Sequence, residues 1–120
     1  MRVIRKVDHI AMCVPDVDEM AEFFKKMGFE EVRRTDHHGA SVEVRLPGEN
    51  QVVFEFTKLG TTEVPGVNHV AFQVDDCQAV VSQLKVEGIM FDSEAHLVQA
   101  SGRVIASFRD HHGFRFQVTE

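Results

Sequence analysis

Residues 5–14 alternate, with Ile10, Met12 and Val14 on one side and His9, Ala11 and Cys13 on the other. A period of two predicts a strand. Just beyond it, Val17, Met20, Ala21, Phe24 and Met27 recur at the three- and four-residue spacing that lays one apolar stripe along a helix. Asp16 follows Pro15 and stands three residues ahead of Glu19, a capping box that opens this helix. Gly28 suits the left-handed residue that stops it. Three more extended runs follow, FEEVRRT, ASVEVRL and QVVFEFT, with Pro47, Gly48, Glu49 and Asn50 as the turn between the last two.

The second half of the chain repeats the first. With VDHIAMCVPDVDE, starting at Val7, set over VNHVAFQVDDCQA, starting at Val67, His9 falls on His69, Ala11 on Ala71 and Val14 on Val74. In the same alignment Val17, Met20, Ala21 and Phe24 fall on Cys77, Val80, Val81 and Leu84, and Gly28 on Gly88. At the far ends FEFTK, from Phe54, resembles FQVTE, from Phe116. The second unit therefore predicts a strand over 66–74, a helix over 76–87, a short strand near 89–91, and the strands GRVIASFR and GFRFQVT. Residues 92–101 read as loop, with room for a short strand around His96–Val98.

The pleat sorts the polar side chains. Positions 10, 12, 14 and 70, 72, 74 face the helices, so His9 and His69 point to the opposite face beside the small Ala11 and Ala71. Phe54 and Phe56 belong to the helix side, which leaves Glu55 on the other face. Phe114, Phe116 and Val118 are expected to pack inward, leaving Gln117 with Arg115 and Thr119. His9 and His69 hold equivalent positions in the repeat, as do Glu55 and Gln117. Taken singly each is an ordinary strand residue, but the pairing predicts one shared metal site.

Composition narrows the classes of function. The chain has 120 residues, 43% hydrophobic and 27% charged, as in one ordinary globular domain. Thirteen basic against nineteen acidic residues give a net charge of −6 with no basic run, which argues against nucleic acid as a partner. No apolar run approaches a membrane span, and the opening MRVIRKVDHIAMCV is too short and charged for a signal peptide. Cys13 and Cys77 are the only cysteines and form no CxxC, so they read as buried thiols of a cytoplasmic protein.

The segments VDHIAMCVPDVDEMAEFFKKMGF, VVFEF, GVNHVAFQVDD and FRDHHGFRFQV together resemble the vicinal oxygen chelate superfamily. That superfamily takes in glyoxalase I (lactoylglutathione lyase), methylmalonyl-CoA epimerase, extradiol dioxygenases, fosfomycin-resistance enzymes and bleomycin-resistance proteins. The resemblance implies an α+β fold, two βαβββ modules making a cupped mixed sheet around a metal site, with helices on the outer face. One domain would span 1–120, with a first module over about 1–60 and a second over about 64–120. Carried onto this chain, the ligands implied are His9, Glu55, His69 and Gln117. Two details depart from the pattern. The last loop, often Asp-Pro-x-Gly, reads Asp110, His111, His112, Gly113. The position of Gln117 is usually Glu, so the lone ligand carboxylate falls on Glu55 and a two-glutamate scheme does not transfer intact.

Two imidazoles, a carboxylate and an amide oxygen suit Zn²⁺, Ni²⁺, Co²⁺ or Mn²⁺ with positions open to substrate oxygens. The reaction expected is that of a metal-dependent isomerase or lyase working through a metal-stabilised enediolate on a small molecule, glyoxalase-I-like or acyl-CoA-epimerase-like. Glu55 is the expected base. Glu43 is an understudy, although its place beside Ser41 and Arg45 on ASVEVRL reads first as solvent-exposed. Arg45, Arg103, Arg109 and Arg115 are candidates to receive a substrate carboxylate or phosphate, each taken singly reading as a surface charge; Arg115, on the face of Gln117, and Arg45 are the two expected to do so. Two alternatives stand. An extradiol-type dioxygenase would use Fe(II) on His9, His69 and Glu55, and a bleomycin-resistance-like binding protein would need no metal. His37–His38 and His111–His112 read as solvated loop pairs, each split across two faces, and Cys13 as an inert buried thiol. A homodimer is expected, with modules paired within a chain or exchanged between chains.

Overall fold

The computed structural model describes residues 3–120. Its elements run β1 (Lys6–Val14), α1 (Val17–Lys26), β2 (Glu30–Thr35), β3 (Ser41–Arg45), β4 (Val53–Lys58), β5 (Gly66–Gln73), α2 (Cys77–Val86), β6 (Phe91–Val98), β7 (Arg103–Arg109) and β8 (Arg115–Thr119). This is the α+β class expected, with βαβββ written twice. The described residues divide into two compact units, one over His9–Asn68 and one combining residues 3–8 with His69–Glu120.

In the unit over His9–Asn68 the strands lie in the order β2, β3, β4, β1. β1 runs parallel to β4, and β3 is antiparallel to both β4 and β2. The apolar stripe of α1 closes on one face of these strands. Val14, Val17, Ala21, Val42, Val44 and Phe56 are buried there, with Met12, Met20, Phe24, Phe29 and Phe54 packed around them. The Phe24 ring stands edge-on to Phe29 and Phe56, with centroids 4.9 Å away in each case. Asp16 caps α1 by accepting from the Glu19 backbone N–H at 3.0 Å. Gly28 ends it at φ +99°, a conformation that costs glycine nothing.

The other unit repeats the plan in the order β5, β8, β7, β6. β5 is parallel to β8, and β7 is antiparallel to both β8 and β6. Asp76 caps α2 through the Ala79 N–H at 3.1 Å. Val74, Cys77, Val80, Val81, Ala106 and Val118 form the buried core against α2. Burial, followed by the nearby charges of Glu120 and Asp76, pushes the Cys77 thiol up to about 11 from 9.0. It therefore stays protonated near neutral pH and makes a poor nucleophile.

Two expectations fail in this unit. Residues 92–95 form strand rather than loop, and the short strand allowed for around His96–Val98 is the end of one continuous β6. Its buried side is carried by Phe91, Ser93 and Ala95, two of them too small or polar to register as an apolar stripe, and its register against β7 shifts twice. Phe114 does not pack inward but is 66% exposed. It sits in the turn before β8, where its N–H donates to the Asp110 carboxylate at 2.8 Å. Among the described residues no helix is long and apolar enough to cross a membrane.

Candidate metal centre

Within the unit over His9–Asn68, the register of β1 on β4 sets Ala11 opposite Glu55 and His9 opposite Val53. His9 and Glu55 are therefore diagonal neighbours, flanked on the same face by the Ala11 methyl group and by Val53. Met12, Phe54 and Phe56 turn toward α1, so the pleat sends His9 and Glu55 to the other face. Both are nonetheless buried, His9 at 2% and Glu55 at 4% exposure. One ligand atom of each lies within 4.8 Å of the other.

The neighbouring strand adds what the sequence reading missed. Glu43 on β3 is directly opposite Glu55 and is 4% exposed, so the expectation of a solvated Glu43 is wrong. Lying between β2 and β4, β3 is an interior strand of its unit, and alternation alone could not show that. Two buried carboxylates at opposed positions repel each other, and positive charge beside them offsets that cost. One row further along the same face, Ser41, Thr57 and Cys13 stand side by side and are also buried. The Cys13 thiol lies 3.9 Å from the Thr57 hydroxyl and donates to the Glu63 carboxylate at 3.1 Å.

In the other unit the same diagonal recurs. β5 on β8 sets Ala71 opposite Gln117, and His69 precedes Ala71 by two residues. His69 and Gln117 are half-buried. Val118, the next residue after Gln117, packs into the core against α2, so Gln117 takes the opposite face. Each unit, taken alone, thus presents an imidazole and an oxygen donor in one relation across a parallel strand pair. Nitrogen and oxygen donors of this kind fit a borderline divalent ion.

The remaining candidates separate. Arg45 and Arg115 are exposed at a strand end and a strand start. Arg109 pairs with Asp92 at 2.9 Å, and Arg103 stands 3.9 Å from Asp8. The histidine pairs do not split across faces: the His37 and His38 rings are 4.1 Å apart and those of His111 and His112 3.9 Å. Both pairs lie in tight turns closed by a glycine N–H on an aspartate carbonyl, where strand alternation has no hold.

The family model of the Glyoxalase/Bleomycin resistance protein/Dioxygenase superfamily matches residues 6–118. The chain belongs to that superfamily, the vicinal oxygen chelate proteins. No curated protein matches it by sequence. Among solved structures, a methylmalonyl-CoA epimerase in complex with methylmalonyl-CoA and ammonium is similar at TM-score 0.81 and 18% identity, over 97% of this chain and 94% of its own. A Streptomyces coelicolor methylmalonyl-CoA epimerase variant with 2-nitronate-propionyl-CoA gives 0.81 and 18%, over 97% and 96%. The epimerase from Mycobacterium tuberculosis gives 0.80 and 20%, over 100% and 90%. At these identities the likeness is one of fold.

Proposed function

We propose that this protein is a divalent-metal-dependent isomerase that moves a proton at a carbon next to a carbonyl, acting on a 2-acyl-CoA or, as the alternative, as a glyoxalase-I-type lyase on a thiohemiacetal. One observation carries the reading: the buried His9–Glu55 diagonal and its counterpart in His69 and Gln117. In this reading those four side chains hold one Zn²⁺, Ni²⁺, Co²⁺ or Mn²⁺, and the two modules work as a single domain. When bound, the cation supplies stabilisation for the negative charge that develops on the substrate oxygens.

The chain's own residues do the rest. Glu55, either displaced from its ligand position on substrate binding or acting from the outer coordination shell, takes the proton from the carbon, leaving the bond's electron pair delocalised onto the carbonyl oxygen. Glu43, opposite Glu55 on the next strand, is the second carboxylate within reach, able to return a proton to the other side of the same carbon. Return to that carbon inverts it, and return to its neighbour isomerises the substrate. Arg115 and Arg45 are proposed to meet a substrate carboxylate or phosphate. A homodimer belongs to the same reading. So does a reducing, cytoplasmic setting, supported by two buried thiols in no disulfide.

Solvent deuterium exchange tests this. Protein loaded in turn with each of the four metals is expected to exchange the C2 hydrogen of methylmalonyl-CoA, or to convert the methylglyoxal–glutathione adduct, and to stop after chelation. No exchange or conversion with any of them would contradict the proposal. Oxygen uptake with catechol and Fe(II) would replace it with a dioxygenase.

A further inference from the structure

We propose that the Ser41 hydroxyl is a substrate-positioning donor, aimed at a carbonyl or carboxylate oxygen of the acyl group. The inference rests on the function proposed above and adds a residue to it. Ser41 is 1% exposed, and its Oγ has no hydrogen-bond partner among the described residues.

The hydroxyls on the flanking strands differ. Thr35 and Thr57 are the cross-strand neighbours of Ser41 on β2 and β4. Thr35 Oγ1 accepts from the His37 N–H at 3.2 Å, and Thr57 Oγ1 has the Cys13 thiol at 3.9 Å. Ser41 is the one left over. A buried hydroxyl that bonds to nothing weakens the fold. Nothing in the folding of β3 accounts for this side chain.

Its position does. Ser41 and Glu43 are two residues apart on one strand, so their side chains leave the same face. Cα atoms so spaced are about 7 Å apart. The carbon losing its proton must lie against the carboxylates of Glu43 or Glu55, and an acyl oxygen sits one bond beyond its neighbour. A donor about 7 Å along the face is placed for that oxygen rather than for the reacting carbon. A neutral hydroxyl can supply a hydrogen bond there without adding charge beside two carboxylates.

The test uses the metal-loaded full chain with Ser41→Ala, and Ser41→Cys as a variant of closer volume that keeps a weak donor. Methylmalonyl-CoA is the probe, read by deuterium exchange and by ligand-induced thermal shift. Expected for Ser41→Ala are a substrate-free melting temperature equal to or above the wild type and one bound metal. KM should rise about tenfold with kcat changed far less, the effect of one lost ground-state hydrogen bond. Ser41→Cys should fall between. A lowered melting temperature in both variants would overturn the proposal, because the hydroxyl would then serve the fold. Unchanged KM and thermal shift would overturn it too. If the wild type neither binds nor turns over the probe, the acyl-CoA reading of the function proposed above fails and this inference with it; wild-type turnover with an indifferent Ser41→Ala removes only this inference.

Discussion

Glu55→Gln is expected to cut turnover by about a hundred- to ten-thousandfold, the usual worth of a positioned general base, while the protein still folds. The amide matches the carboxylate in shape, so a position at 4% exposure on β4 can accept it without a cavity. It also removes one of two opposed carboxylates, Glu43 and Glu55, so repulsion within the folded unit falls. The melting temperature of the metal-free variant should therefore stay close to that of the wild type. Metal affinity should weaken, since an amide oxygen replaces an anionic ligand. Steady-state kinetics at saturating metal, beside a thermal melt, separates these effects. Near-normal kcat would remove Glu55 as the base and pass that role to Glu43.

The second large effect is on stability alone. Phe56 is fully buried at 0% exposure, with the Phe24 ring 4.9 Å away at 61° and Val42 and Val44 in the same core. Phe56→Ala should lower the unfolding free energy by about 3–5 kcal/mol, the transfer cost of the ring plus that of the cavity it leaves. Phe114→Ala, at a position 66% exposed, should fall within about 0.5 kcal/mol of the wild type. Urea titration of both metal-free variants reads the contrast. Equal losses would mean that the aromatic core lies elsewhere.

These residues also show what was legible in the sequence. Phe54, Glu55 and Phe56 alternate so sharply that the pleat assigns their faces without coordinates. His9 and His69 are legible because the chain writes their setting twice. The caps at Asp16 and the stop at Gly28 follow from local chemistry and are found in place. Glu43 and Ser41 were misread or passed over because alternation tells which face a side chain takes, not whether that face meets water. β6 is not legible because the half-buried side of the strand is carried in part by Ser93 and Ala95, which give almost no apolar signal. The hydrophobicity of Phe114 points inward, but the turn held by Asp110 keeps it outside. The histidine pairs lie in segments that turn, where strand alternation does not apply.

Calorimetric titration of Co²⁺ or Zn²⁺ into the metal-free protein, and into His9→Ala and His69→Ala, addresses the central proposal most directly. One ion per chain in the wild type, with affinity lost in both variants, is the expected result. Undiminished binding in His69→Ala, or two independent ions per chain, would contradict a single centre drawn from both halves.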